Sequence, residues 1–422
     1  MAVVGRGIAG LSLARELLFQ TKKSIVLIGP ETALPGSATI VAQGVSAVKG
    51  LVLGKEPLFA AKLAGHRFLR KWLAEVSRES GLGVSFDGAG VGEISTTLED
   101  LQWNMTRAYH RRFQGIFGAV SGTFSGSESW PESASSARPL GAEPYRGRHH
   151  HGVLHPQDFW FDPEEALCAL ENLLSKAPHQ VTSFFGTAAA LSLEDSGLVQ
   201  IRFDGEEAIN ARQVVLAAGH QTPSLLAGIL GSSQGPDFEP LKTAGWSVVG
   251  GETLTFQAPT SGPLAFSAAS FQGAGAMDAG ASFYGTSRGV SSFVRRTHSL
   301  SRKKNGCLIA GSTAQKTLEK LVAKKPVSPV ESMAYEIEMM AGHQATDPAA
   351  WQPRFGLRLR TKDRAPVCGR LSGFADRIWV FSGFYKNGLQ LAPLMAADLA
   401  QAIASNDETV ISKQCIASRF GV

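Results

Sequence analysis

A chain of 422 residues with 44% apolar content can bury a large core and divides most naturally into two domains. No apolar run approaches the roughly 20 residues that a membrane-crossing helix needs, and no charged-then-apolar leader precedes the first strand, so neither membrane insertion nor secretion is expected and a cytoplasmic location is. The formal net charge of +5 admits an anionic partner without requiring one, and the widely spaced Cys168, Cys307, Cys368 and Cys415 form no CxxC pair, which argues against a zinc knuckle or a thiol redox motif.

The chain opens on a very short strand, Ala2-Val3-Val4-Gly5, followed by the glycine loop Gly5-Arg6-Gly7-Ile8-Ala9-Gly10 and a helix carrying Leu11, Leu13, Ala14, Leu17 and Leu18. Strand, glycine loop and helix in that order bind a pyrophosphate at the helix N-terminus, where the backbone N–H groups are unpaired and the glycines allow close approach. A second strand at 24–28 ends on Gly29, where such folds commonly place an acid for the ribose hydroxyls; Glu31, two residues on, is the substitute considered. From Pro35 to 45 the residues are small and polar, suited to backbone approach to a flat ring or to a plain loop. An amphipathic helix is expected at about 56–77 and a strand near 84–94. Residues 121–148, rich in Ser, Gly and Pro, read as a long excursion outside the core.

Asp162-Pro163-Glu164-Glu165 starts a helix, with Asp as cap, Pro in the first turn and acids at the positive end. Strands are expected at 181–193 and 198–203, and the run from Gln213 through Ala218 reads as a buried strand stopping at Gly219. The adjacent His149, His150 and His151 lack metal-ligand spacing, and Arg107, Arg111, Arg112, Arg295, Arg296, Arg302, Lys303 and Lys304 read as solvated basic faces. Near the C-terminus the apolar strand Ile378-Trp379-Val380-Phe381 runs into Gly383-Phe384-Tyr385-Lys386-Asn387-Gly388-Leu389 and an alanine-rich helix. This second strand–glycine–helix junction answers the first from the far end of the chain, as if one cofactor were clamped from both ends.

Asp162-Pro163 before a leucine-rich helix, Val214-Val215-Leu216-Ala217-Ala218-Gly219, and the block Gly356-Leu357-Arg358-Leu359-Arg360-Thr361-Lys362-Asp363-Arg364-Ala365-Pro366 together resemble the FAD-dependent D-amino acid oxidase superfamily over nearly the whole chain. The last block is similar to glycine oxidases of thiamine biosynthesis. Residues 51–94 and the triplet Gly219-His220-Gln221 look more like the oxidase half of the bifunctional enzyme that modifies tRNA wobble uridines. The resemblance implies an α/β protein in which a Rossmann-like FAD-binding domain (1–75, 159–235, 355–422) is interleaved with an α+β substrate domain built on an antiparallel sheet (76–158, 236–354).

It also implies site residues. Non-covalent FAD would be met by Gly5, Gly7 and Gly10, by Ala42, Gln43 and Gly44 near the isoalloxazine, and by Ala189 at the adenine. Ala218 and Gly219 would pass the adenosine half, while Gly383, Phe384, Tyr385, Asn387, Gly388 and Leu389 would line the flavin. Arg358 would bind the substrate carboxylate, and Lys386 would stand where glycine oxidases have a second arginine. A substrate-shaping tyrosine of those enzymes falls near Ser299, where this chain has none. Arg360 is expected on the opposite face of its strand, toward solvent. Cys368 is the nearest candidate for flavin attachment and is not matched to a known attachment site.

The implied reaction is oxidation of the C–N bond of an amino acid or N-substituted glycine, by hydride transfer to flavin N5 and hydrolysis of the resulting imine. The substrate is a small amine or amino acid bearing a carboxylate, and O2 or another acceptor takes the electrons. The alternative substrate is the carboxymethylaminomethyl group of a tRNA wobble uridine. Both carry the same N–CH2–COO⁻ unit, which a planar guanidinium at Arg358 suits.

Overall fold

Apolar runs from both ends and the middle of the chain pair in one sheet. The computed structural model describes residues 1–32, 36–47, 58–88, 91–95, 138–145, 148–155, 158–204, 207–230, 245–257, 292–295, 298–302, 307–311, 351–372, 374 and 376–420. The six-stranded sheet is ordered β19 (Val367–Arg370), β20 (Ile378–Ser382), β13 (Val214–Leu216), β1 (Ala2–Val4), β2 (Ile25–Gly29), β9 (Val181–Phe185). Strands β20 to β9 are parallel, and β19 closes one edge antiparallel to β20.

Successive residues of these strands face opposite ways, so two cores form. Val3, Leu27, Val215, Trp379 and Phe381 pack with helices α1 (Ile8–Gln20), α2 (Phe59–Ser80), α3 (Pro163–Ser175) and, beyond α4 (Thr222–Leu230), α5 (Gly388–Ser405). Val4, Ile28, Val214, Leu216 and Val380 face the other way, onto α4 and the antiparallel sheet of β10 (Ala188–Leu193), β11 (Val199–Phe203) and β12 (Ala208–Ala211). Cover on both faces is why these strands read as unbroken apolar runs rather than alternating ones.

An eight-stranded sheet stands beside it, ordered β18 (Gln352–Arg360), β14 (Ser247–Gln257), β17 (Cys307–Gly311), β16 (His298–Arg302), β15 (Ser292–Arg295), β5 (Val91–Ser95), β7 (Arg148–His155), β6 (Arg138–Tyr145). Its pairs are antiparallel except β15 with β5. A small third sheet joins β3 (Val45–Ser46), β8 (Phe159–Phe161) and β4 (Phe86–Asp87). The α/β fold with one largely parallel sheet and separate antiparallel sheets agrees with the expected class.

Several local expectations shift. The helix expected at 56–77 is α2, which runs to Ser80 and stops at Gly81 in the left-handed conformation (φ 73°) that glycine adopts without a Cβ clash. The strand expected at 84–94 is two strands, β4 and β5, in different sheets, and 181–193 is likewise split into β9 and β10. Part of the expected excursion, 138–145, is the edge strand β6; 121–137 lies outside the described residues, as do Pro35, Arg107, Arg111, Arg112, Arg296, Lys303 and Lys304. His149, His150 and His151 are consecutive in β7, and Ser299 sits in β16 opposite Val294 and Gly311. Asp162 caps α3 as expected, Oδ1 accepting from the Glu164 N–H at 3.0 Å with Pro163 in the first turn. No helix among the described residues is long and apolar enough to cross a membrane.

Asp398, on the buried side of α5, has its carboxyl pushed up by desolvation to about 6 from an ordinary 3.8. The folded state therefore keeps a proton that the unfolded chain releases, and stability falls as pH rises between these two values. Asp398→Asn is expected to flatten that slope and to raise stability at neutral pH by about 1–3 kcal/mol. Urea midpoints measured on both sides of the window check it.

Candidate active site

The site begins where β1 turns into α1. Gly5 has φ 124°, and a Cβ on it would lie 2.3 Å from the Ala217 carbonyl oxygen; one on Gly10 would lie 1.8 Å from the Gly5 oxygen. These two glycines allow the loop to pack on β13 and on its own helix. Gly7 is different. Its extended backbone (φ −83°, ψ −176°) suits any residue, and a Cβ there would meet only Thr39 Oγ1, at 3.2 Å. As N-cap of α1 it brings no side-chain cap, while Thr39 Oγ1 accepts from the Ile8 N–H at 3.2 Å. The positive end of a 13-residue helix thus faces the cavity through a residue with no side chain.

Gly29, where an acid was expected, is small because Arg6 fills its space: a Cβ on Gly29 would lie 2.6 Å from Arg6 Cγ. The Arg6 guanidinium lies 4.7 Å from the Phe185 ring centroid and its Nη2 donates to Glu171 Oε1 of α3 at 3.2 Å. Its Nε and Nη1 are buried without a partner. Glu31, the substitute considered for the missing acid, also borders the cavity.

The far walls come from the ends of β13 and β20. Thr222 Oγ1 donates to Ser382 Oγ at 3.0 Å, and Ser382 Oγ donates to the Gly219 carbonyl at 3.2 Å, tying the two strand ends together. Gly383 follows with φ 78°. His220 borders the cavity beside Gly36 and Leu357, its imidazole pulled below the usual histidine range by desolvation. The space enclosed is about 400 Å³.

The remaining wall is β18. It is stitched to the first half of the chain by a bridge between Gly356 and Gly36, and to the last part by the Tyr385 N–H, which donates to the Leu359 carbonyl at 3.0 Å. Leu357, Arg358 and Leu359 all border the cavity. Arg358 is half-buried, its guanidinium held below its ordinary value by desolvation, with Tyr385 acting in the opposite direction. The expectation that Arg360 faces away from Arg358 is corrected: β18 is paired with β14 along its whole length without a register break, and residues two apart on a regular strand share a face. Arg360 Nε donates to Ser247 Oγ at 3.1 Å, and its guanidinium lies 6.0 Å from the Tyr385 ring centroid.

The cavity gathers Gly5, Gly7, Ala218, Gly219, Arg358, Gly383, Phe384, Tyr385 and Gly388 from the residues expected at the site. Others stand back from its lining. The Ala42 N–H donates to the Thr39 carbonyl at 3.1 Å, and Gln43 and Gly44 are packed on the small third sheet: Trp160 Nε1 donates to the Gln43 carbonyl at 2.7 Å, and a Cβ on Gly44 would lie 1.9 Å from the Phe161 oxygen. Ser37, Ala38, Thr39 and Ile40, just upstream, border the cavity in their place. Ala189 falls at a register break in β10 and is exposed, whereas Gly186, Thr187 and Ala188 border the cavity. Asn387 is the N-cap of α5, and Leu389 packs against the helical core. Lys386 is exposed, beside Tyr385, with Nζ 5.7 Å from that ring's centroid. Its ammonium is pulled below the lysine range first by desolvation, then by the charges of Arg358 and Arg364. Arg6 and Glu171 were not foreseen; the missing acid at Gly29 was the signal that something else occupied that place. Cys368 is fully buried away from the cavity, with its thiol pushed up by burial, while Cys168 on α3 borders it.

The residues present fit FAD: a helix end whose N-cap, Gly7, has no side chain to close it, an arginine with orphaned donors beside it, and a second glycine junction at Gly383. A family model described as FAD dependent oxidoreductase (DAO) matches residues 1–402. No curated protein matches the chain in sequence. Among solved structures, glycine oxidase from Geobacillus kaustophilus superposes with a TM-score of 0.68 at 17% identity, covering 97% of this chain and 95% of that one. Iminodiacetate oxidase from a Chelativorans species gives 0.68 at 15% identity over 96% and 95%. L-proline dehydrogenase from P. horikoshii gives 0.67 at 14% identity over 100% and 97%.

Gly7→Val should separate cofactor binding from folding. The Cβ of the new side chain meets only Thr39 Oγ1, so the melting temperature is expected to stay near that of the wild-type apoprotein while the flavin-to-protein absorbance ratio falls to near zero. Gly10→Ala, whose Cβ meets backbone, is expected to lose stability instead, by at least about 1–3 kcal/mol. Acid precipitation of the holoprotein is expected to release the yellow colour into the supernatant; colour kept in the pellet would point to covalent attachment.

Proposed function

The chain belongs to the FAD-dependent oxidoreductase family, and from that premise we propose that it oxidises the C–N bond of a small amino acid or N-substituted glycine. The observation that carries this reading is Arg358, a half-buried arginine in the cavity wall, on a strand hydrogen-bonded to the glycine junction at Gly383 to Tyr385. A planar guanidinium holds a carboxylate through two parallel N–H···O bonds, which fixes the CH2 beside it. When bound, FAD supplies the two-electron acceptor for the hydride of that carbon.

The protein's own contribution is position and charge. Desolvation makes the Arg358 field strong where a carboxylate would sit, since fewer waters screen it. The Tyr385 backbone is held in the left-handed region (φ 53°), which for a residue with a side chain costs about 1–2 kcal/mol. The Leu359 carbonyl offsets that by accepting the Tyr385 N–H, so the ring is fixed against the arginine strand. A substrate amine that arrives neutral needs no side-chain base. Desolvation pulls the His220 imidazole down from its ordinary value and so disfavours a positive charge there.

The deciding experiment is anaerobic flavin bleaching with glycine, sarcosine, D-alanine, D-proline and a tRNA bearing carboxymethylaminomethyluridine. Bleaching by one of the small amino acids supports the proposal. Bleaching by the tRNA alone would shift the assignment to the wobble base, and no bleaching by any carboxylate substrate would overturn it. Arg358→Ala is expected to cost about 2–5 kcal/mol of substrate binding, raising the apparent KM by orders of magnitude with the flavin spectrum nearly intact. Arg358→Lys should recover only part.

A further inference from the structure

Among the described residues, the cations beside Arg358 at the rim of the cavity have no acids to balance them. Arg360 shares the Arg358 face of β18, and Lys386 follows Tyr385, so both flank one aromatic ring, at 6.0 and 5.7 Å from its centroid. Arg364, also in a left-handed turn (φ 62°), adds a further exposed charge that acts on Lys386. Among the described residues no carboxylate reaches Arg360, Arg364 or Lys386 within ion-pair distance. The one acid of this segment, Asp363, is already engaged: Arg419 Nε donates to it at 3.1 Å, Thr361 Oγ1 at 2.8 Å and the Ala365 N–H at 3.0 Å.

Cations elsewhere around the cavity are treated differently, Arg6 being paired with Glu171 and Arg354 with Glu164. The Lys386 ammonium is pulled down first by desolvation and then by the charges of Arg358 and Arg364. An anion bound beside Lys386 and Arg360 would offset this positive charge. Tyr385 borders the cavity and its backbone is tied to Leu359, so the ring near both cations is anchored beside the cavity.

We propose that Arg360 and Lys386 form a second anion subsite at the cavity rim, and that the preferred substrates are N-substituted glycines whose nitrogen substituent carries a further anionic group. The glycine carboxylate goes to Arg358 and the second anion to the rim. This rests on the C–N oxidation proposed above. The second anion is defined by its chemistry, a carboxylate or phosphate oxygen, and it can belong to a free dianionic glycine or to the backbone of an RNA.

The test compares pairs that differ only in that anion. With the holoenzyme, iminodiacetate is set against its near-isosteric monoamide N-(carbamoylmethyl)glycine, and an RNA oligonucleotide bearing carboxymethylaminomethyluridine against the free nucleoside. The expected result is a kcat/KM ratio of about tenfold or more for the anionic member of at least one pair. The pair that shows it identifies the source. In Lys386→Gln and Arg360→Gln the ratio should collapse toward one, while Lys386→Arg should keep it, which a merely structural role for these residues would not produce.

Turnover of glycines with a ratio near one in both pairs would overturn the subsite and leave the C–N oxidation standing. If no N–CH2–COO⁻ compound is turned over, the oxidation proposal fails. The subsite is then read from the flavin absorbance shift on anaerobic titration with iminodiacetate and with its monoamide. Equal affinities there would overturn it as well, and a tighter dianion that loses its advantage in Lys386→Gln would support it.

Discussion

The backbone stitching of β18 is what the rest of the site depends on. One strand of the eight-stranded sheet meets the 36–40 segment at Gly356 and the C-terminal glycine junction at Leu359. Both partners border the cavity. The strand that carries Arg358 is therefore fixed relative to the loop ahead of β3 and to the loop after β20. These are main-chain contacts, so they hold position without depending on side-chain rotamers. Glycine is needed at the first of them because a Cβ on Gly356 would lie 2.2 Å from Val41 Cγ2.

The two sheets divide the work. The parallel sheet gathers strand ends from three distant stretches of chain, so β1, β13 and β20 present their C-terminal ends to one cavity. Ligands in open α/β sheets sit beyond those ends, where loops and helix N-termini converge. The antiparallel sheet supplies a long, fully paired strand, and long pairing fixes register; a slip of one residue would turn Arg358 to the other face.

Charge is distributed with the same asymmetry. On the α3 side, Glu164 and Glu171 balance Arg354 and Arg6. On the Tyr385 side, Arg358, Arg360, Arg364 and Lys386 cluster, and the local acid is bound to Arg419. Such a field draws anionic ligands toward one end of the cavity and weakens with added salt.

The sequence by itself determined the features that local chemistry dictates. The glycine loop, the Asp162-Pro163 helix start, the unbroken apolar strands, the Gly383 junction and the block around Arg358 are each readable within about ten residues, because backbone conformation, capping and periodicity are local properties. Only the tertiary structure decided which of several small residues face the cavity. Ser37 to Ile40 border it while Gln43 and Gly44 pack on β8, and Ala188 borders it while Ala189 is turned out at a register break. Arg6 occupies the space of the missing acid at Gly29, and Asp363 is bound to Arg419, 56 residues away in the chain. The physical reason is common to all of these: each depends on which distant backbone or side chain fills the neighbouring space, and pairing between remote segments leaves no periodic trace in either one.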